Sequence, residues 1–192
     1  MEITNSNIAY LLDNREYILS VEGAWDEFAY KNDGESVYAC DVCGRSIWDF
    51  VNGDVTRMWL STVFQLARLC NMTVERPYRC DSPHEKRFMR MRIIPERDGV
   101  LRIMHELLMT EKLDVPLHIK CGVEKAMDKV KPMLRCSFCG RVRQGELWEE
   151  PSMEHAGTLR EIIVGYSLCE NCAHSMPGIK NEQTKKNERN VK

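Results

Sequence analysis

Four cysteines in the C-terminal part of the chain are spaced for metal chemistry. They form two Cys-x-x-Cys pairs, Cys136/Cys139 and Cys169/Cys172. Two thiolates about 2.3 Å from one ion must reach it from the same side, which a two-residue gap permits, and a second pair completes a tetrahedral site. Gly140 follows the first pair and tolerates the positive φ that turns backbone N–H groups toward the sulfurs. The spacing therefore predicts a structural Zn²⁺ site.

The segment between the two pairs is longer than a minimal zinc ribbon. We expect it to form hairpin or helical structure of its own, because it contains several apolar residues: Trp148, Leu159, Ile162, Ile163 and Val164.

Other uses of the same four cysteines stay open at this point. Two disulfides or a redox-active dithiol would employ the same pairs, and four thiolates also bind iron in a rubredoxin-like site. A c-type haem is disfavoured, because its attachment needs a histidine directly after the second cysteine of a pair. Gly44, Gly140 and Ala173 occupy those positions.

A third pair, Cys40 and Cys43, lies in the N-terminal half. It is a candidate redox dithiol or a second metal half-site, which Cys70 and Cys80 would complete if folding brought them close. The chain has nine cysteines. This odd number fits metal ligands and reduced thiols better than the disulfides of a secreted protein.

The composition and the motifs argue against several classes of protein. The chain has 192 residues and a formal net charge of −2, which argues against a large nucleic-acid footprint. No apolar run approaches the roughly 18 residues of a membrane span, and we expect a cytoplasmic protein. Because no Gly-rich phosphate loop, Ser/His/Asp arrangement or kinase signature is present, we also expect no enzymatic activity.

Hydrophobic patterns in the first half predict a mixed α+β fold. A hairpin is expected over 8–12 and 17–21, followed by short helices near Trp25 and near 47–51. A long helix over 54–71 follows, with an apolar stripe that includes Val55, Met58, Trp59, Val63 and Leu69. Three more strands are predicted over 73–80, 87–94 and 100–108, and a linker helix over 121–131.

This order of elements, together with three local motifs, resembles bacterial PAS-like sensor proteins. The motifs are Trp25-x-x-Phe28-Ala29-x-x-Asn32, Gly44-Arg45-Ser46-Ile47-Trp48-Asp49-Phe50, and Arg79-Cys80-Asp81-Ser82-Pro83 with Arg87-Phe88-Met89. The resemblance implies a five-stranded antiparallel sheet with helices on one face. The C-terminal part is similar to cysteine-rich segments that follow PAS or receiver modules in bacterial signalling proteins.

We therefore expect four regions: a PAS-like domain over 1–109, a linker helix over 110–134, a zinc-ribbon-like module over 135–179 and a disordered tail over 180–192. The resemblance implies a concave sheet face that can hold a ligand of unknown identity. Six residues are candidates for lining it, although their types and spacings are more typical of core packing: Trp25, Phe28, Trp48, Trp59, Phe64 and Met89.

These patterns favour a non-catalytic signalling or regulatory protein that acts through protein contacts, as a homodimer. Two alternatives differ in class. One is a transcription-associated protein that uses the zinc module on nucleic acid, and the other is a thiol-redox switch that releases its metal on oxidation.

Overall fold

Two β-sheets and a set of mostly short helices form the part of the chain that this computed structural model describes, residues 7–31, 34–122, 132–156, 161–175 and 178–179. The larger sheet contains β1 (Ile8–Leu12), β2 (Ile18–Gly23), β3 (Val74–Arg79), β4 (Glu85–Pro95), β5 (Leu101–Lys112) and β11 (Gly178–Ile179). The smaller sheet contains β6 (His118–Cys121), β7 (Met133–Cys136), β8 (Val142–Gln144), β9 (Leu147–Glu149) and β10 (Glu161–Ser167). The α-helices are α1 (Trp25–Tyr30), α2 (Ala39–Val42), α3 (Asp54–Cys70), α4 (Met153–Ala156) and α5 (Glu170–His174).

The larger sheet confirms the five predicted strands. Its order is β11-β3-β4-β5-β1-β2, and all of its pairings are antiparallel. The alternation that predicted β4 is visible in its burial, since Met89, Met91 and Ile93 are buried on one face while Arg90 and Arg92 are not. The sixth strand, β11, was not predicted, because two residues carry no periodic signal.

The long predicted helix is present as α3, but its buried face differs from the predicted stripe. Thr56, Val63, Phe64 and Ala67 are buried, whereas three stripe residues are exposed: Val55, Met58 and Leu69. The helix packs through Phe64 against the sheet, in a core that includes Leu12, Ile93, Leu101 and Ile103. The small side chain of Ala67, which has no exposed surface, lies in the same cluster.

Strands occur in the described part of the region predicted as a linker. β5 continues to Lys112, and residues 118–121 form β6, so the predicted helix would begin inside a strand. The reason is tertiary: β6 pairs in parallel with β10, which places Leu117 and Ile119 in the small apolar core of the second sheet. Residues 123–131, on which the rest of that helix falls, lie outside the described residues, as does the tail over 180–192.

The segment between the cysteine pairs forms structure of its own, as predicted. It contains the β8–β9 hairpin, α4 and β10. The first cysteine pair touches α3, because the hydroxyl oxygens of Thr56 on α3 and Ser137 are 2.6 Å apart.

Gly53, directly before α3, lies against Tyr166 in β10 of the smaller sheet. It has φ +86°, and an added Cβ would lie 2.7 Å from the carbonyl oxygen of Tyr166 in β10. Only glycine fits here without displacing one of the two backbones.

We predict that Gly53→Ala lowers the free energy of unfolding by more than the 1–2 kcal/mol typical of left-handed backbone strain. The matched control is Gly145→Ala, which has φ +61° but no neighbour within 4 Å and so carries only the conformational strain. Urea unfolding followed by circular dichroism measures both. Equal destabilisation of the two variants would show that the contact with Tyr166 is unimportant.

Candidate metal centre

The first cysteine pair sits in a tight turn between two strands. Cys136 ends β7, and Gly140 leads toward β8. The Gly140 N–H donates to the Cys136 carbonyl at 3.0 Å, and the Cys136 N–H donates to the Arg141 carbonyl at 2.8 Å. Gly140 has φ +74°, as its position in the sequence predicted. The turn directs the two sulfur atoms to one side.

The second pair uses a helix start instead of a glycine turn. Cys169 is the N-terminal cap residue of α5, and Cys172 lies one turn later. The Ala173 N–H donates to the Cys169 carbonyl at 2.9 Å. Right-handed helical backbone needs no positive φ, which explains why the second pair lacks a following glycine.

The structure brings the four predicted ligands together. The Sγ atoms of Cys136, Cys139, Cys169 and Cys172 all lie within 4.8 Å of one another. The Sγ atoms of Cys139 and Cys169 are 3.7 Å apart. A tetrahedron with metal–sulfur bonds of about 2.3 Å has sulfur–sulfur edges of roughly 3.8 Å, so this spacing suits a metal ion. It is far longer than the S–S bond of a disulfide, about 2.05 Å.

Electrostatics explains why the cluster needs a cation. Hydrogen bonds from the Cys139 thiol and from neighbouring backbone N–H groups lower the pKa of Cys136 to about 4. Burial and the Cys136 thiolate raise the pKa of Cys172 to about 11, and the pKa of Cys139 is also raised, chiefly by its hydrogen bond to Cys136. Without a metal, one thiolate therefore disfavours the others. A divalent cation removes this repulsion and allows four thiolates to bind.

An aromatic cluster attaches the metal centre to the larger sheet. Phe138, between the first two ligands, is buried and packs on Trp59 of α3 with ring centroids 4.6 Å apart. Tyr78 of β3 and Trp148 of β9 complete the surroundings. The Arg79 N–H donates to the Phe138 carbonyl at 2.7 Å, so the first pair is hydrogen-bonded to β3.

A buried ion-pair network supports the same turn. The Asp81 carboxylate accepts from the Arg79 guanidinium at 2.7 and 3.0 Å and from Arg135 Nη2 at 2.7 Å. Arg79 also donates to Glu150 at 2.6 Å, and Arg135 Nε donates to the Gly140 carbonyl at 3.1 Å. The side chains of Arg79, Asp81 and Arg135 are each at most 9 % exposed. The network therefore fixes the turn to the end of β3.

A cleft of about 620 Å³ opens beside the metal centre. Its wall includes Tyr78 and Met89 from the sheet, Phe138, and two of the metal ligands, Cys139 and Cys172. Any occupant of this cleft would lie against both the sheet and the cysteine cluster.

The six candidate pocket residues do not gather around this cleft, and of them Met89 alone lines it. Phe64 is fully buried, and Trp25 and Trp48 pack against the same core. Trp59 contacts Phe138, and the Phe28 ring lies 5.4 Å from the Arg87 guanidinium carbon. Phe64, Trp25, Trp48 and Trp59 thus belong to the core cluster or pack against it, whereas Phe28 and Met89 are not part of that cluster.

The third cysteine pair lies apart from this centre. Cys40 and Cys43, at α2, are both exposed. Among the described residues, the cluster of potential metal ligands contains neither of them, nor Cys70 or Cys80. Burial and the neighbouring Asp41 raise the pKa of Cys40, which lowers its thiolate fraction.

Sequence reasoning assigned no role to the arginines and the aspartate around the centre. Asp81 and Arg79 lie within one of the motifs quoted above, and Arg135 precedes the first ligand. One sequence signal for buried charge near the centre is Arg76, a charged residue that the alternation of β3 places on its buried side, between Val74 and Tyr78.

Comparisons with known proteins add no family. No protein-family model matches the chain, and no curated protein is significantly similar to it. Within the part of the chain that the structure describes, no helix is both long and apolar enough to cross a membrane.

We predict that Cys136→Ser and Cys169→Ser each remove most of the bound metal, whereas Cys40→Ser, an exposed thiol outside the cluster, keeps it. The two ligand variants should also unfold at lower urea concentration, because metal binding contributes to folding. Elemental analysis of purified protein measures the metal content and should give one zinc per native chain. If wild-type protein unfolds at the same urea concentration before and after a chelator removes the metal, the metal has no structural role.

Asp81→Asn is expected to lower the free energy of unfolding by about 3–5 kcal/mol, because it removes the carboxylate that the buried Arg135 pairs with and leaves Arg79 with Glu150 alone. The control is Glu106→Gln, which removes a partly exposed ion pair with Arg90 and should cost about 1 kcal/mol or less. Chemical unfolding compares the two. Similar losses in both variants would mean that the Asp81 network is energetically equivalent to a surface pair.

Proposed function

We propose that this chain is a cytoplasmic, non-catalytic signalling protein of bacterial type. A PAS-like domain senses a small molecule or a partner, and a zinc-bound cysteine module transmits the change through protein contacts. The observation that carries this proposal is the shared core in which the cysteine turns pack on Trp59 of α3 and Tyr78 of β3.

The larger sheet supports the PAS-like assignment. A hairpin comes first, helices follow, and three further antiparallel strands close a sheet in the order β2-β1-β5-β4-β3. α3 covers one face through Phe64. This is the arrangement that the sequence resemblance implies, with helices segregated to one face of an antiparallel sheet.

The metal centre supports a structural zinc. Four thiolates from two turns leave no position for a water or a substrate, as is usual in structural rather than catalytic zinc sites. Cys136 and Cys169 are buried, and the other two ligands are partly buried. Iron is the competing metal for an all-sulfur site.

The cleft supports a sensing role. Two walls of different origin meet there: apolar side chains of the sheet, such as Met89 and Leu108, and the ligands Cys139 and Cys172. An occupant that binds one arrangement of these two walls more tightly would shift the population toward that arrangement, and the cysteine turns would move with their wall. Protein contacts, including those of a homodimer, would use the outer side of α3, where Met58 and Leu69 are 66 % and 85 % exposed.

The test measures whether the cleft and the metal centre are coupled. We predict that an apolar fluorescent dye binds wild-type protein and changes the rate at which zinc is lost to a chelator. Leu108→Trp, which narrows the cleft, should weaken dye binding at least tenfold. Met109→Trp is the control, because Met109 is similarly exposed, at 50 %, but does not line the cleft.

Dye binding that leaves zinc release unchanged would contradict the proposed transmission. Light scattering on the same preparation gives the oligomeric state, for which a dimer is expected. Steeply salt-dependent binding of DNA or RNA would favour the nucleic-acid alternative, and metal loss on mild peroxide would favour the redox switch.

A further inference from the structure

Arg76 is a buried cation in an unusual setting. It lies on the core face of β3 and is only 5 % exposed. Among the described residues it has no ion pair with a carboxylate. Buried guanidinium groups are normally paired, because removing an unpaired charge from water costs several kcal/mol.

Among the described residues, the hydrogen-bond partners of Arg76 all belong to the cysteine module. Its Nη2 donates to the Cys172 carbonyl at 2.9 Å, and its Nη1 donates to the carbonyl and the hydroxyl of Ser175 at 2.5 and 2.7 Å. The guanidinium carbon also lies 4.4 Å from the ring centroid of Phe138 and 5.6 Å from that of Trp59. Arg76 therefore touches both cysteine turns: the first through Phe138 and the second through Cys172.

The contacts of Arg76 do not by themselves neutralise its positive charge. They are neutral acceptors and aromatic faces, and within the part of the chain that the structure describes the Nε atom of Arg76 is buried without a hydrogen-bond partner. A divalent ion with four thiolates carries a net charge of −2, which is also expensive to bury. The two features are complementary: Arg76 offsets one of the two negative charges of the metal–thiolate complex, and that complex offsets the charge of Arg76.

We infer that Arg76 is the charge-compensating residue of the metal centre, a cation on the sheet that stabilises the dianionic metal–tetrathiolate complex. This inference rests on the metal-binding role proposed above. It makes the bound metal part of the attachment between the sheet and the cysteine module, because the attraction is greatest when all four thiolates are ionised around the ion.

The role has a signature that simple packing does not share. In the metal-free protein, the cysteine cluster carries less negative charge, so replacing Arg76 should change stability less than it does in the zinc-bound protein. In the zinc-bound protein, the same replacement removes the compensating charge and should lower stability. A purely structural contact would lower both by the same amount.

The experiment compares Arg76→Gln and Arg76→Lys in the full-length protein. Gln keeps a hydrogen-bonding group without the charge, whereas Lys keeps the charge without the planar fork. Arg90→Gln is the control, because Arg90 lies on the opposite face of the adjacent strand β4 and pairs with Glu106. Zinc affinity is measured by competition with a chromophoric chelator, and thermal unfolding is measured with and without zinc.

We expect Arg76→Gln to weaken zinc binding by about 10- to 100-fold, the range found for residues that support metal ligands indirectly. Arg76→Lys should recover most of this loss, and Arg90→Gln should bind as wild type. The melting temperature of Arg76→Gln should fall further in the zinc-bound form than in the metal-free form.

Two results would overturn the inference. One is an unchanged zinc affinity in Arg76→Gln, and the other is an equal drop in melting temperature with and without zinc. If Arg76→Gln does not fold, an Arg76→Lys variant that loses as much zinc affinity as a cysteine variant would overturn it as well. Wild-type protein that binds no zinc would instead refute the proposed metal centre itself.

Discussion

The parallel pairing of β7 with β10 is the constraint on which the metal centre depends. The register places Ser167 opposite Cys136, and the Ser137 N–H donates to the Ser167 carbonyl at 2.9 Å. Both strands therefore end at the same edge of the smaller sheet, and the two cysteine turns that follow them meet there. A parallel pair requires a long crossover. This requirement explains why the segment between the cysteine pairs exceeds the length of a minimal ribbon and folds into a hairpin and a helix.

Buried positive charge is the second organising feature, and the chain stabilises its buried guanidinium groups in two different ways. Arg79 and Arg135 share the Asp81 carboxylate and Arg79 also pairs with Glu150, so carboxylates of the protein pair with both guanidinium groups. Arg76 has aromatic rings and carbonyl oxygens instead. Polar contacts of this kind require specific geometry, unlike apolar packing, and they fix the orientation of the cysteine module on the sheet.

The sequence predicted the parts of this structure that depend on local patterns. β4 followed from alternation at Met89, Met91 and Ile93, α3 from its helical period, and the four ligands from their spacing. The predicted apolar stripe of α3 does not match its buried face. Met58 and Leu69 are as apolar as the residues that α3 buries, and only the tertiary contacts decide between the two faces. β6 and β11 were not predicted, since short strands whose partners lie far away in the chain carry little local signal.

The same limit applies to the position of the metal centre. Local spacing identifies four ligands, but it does not indicate that they pack on α3 and β3, because that contact depends on a parallel pairing between distant segments. The packing has a thermodynamic consequence. Cys139 and Cys172 line the cleft and also belong to the cluster that holds the metal. If an occupant of the cleft changes the affinity of the cluster for its metal, the metal must change the affinity of the cleft for that occupant by the same factor. In that case, a metal held in this position would do more than stabilise the local fold, because its free energy of binding would be linked to the conformation of the sheet against which its ligands lie.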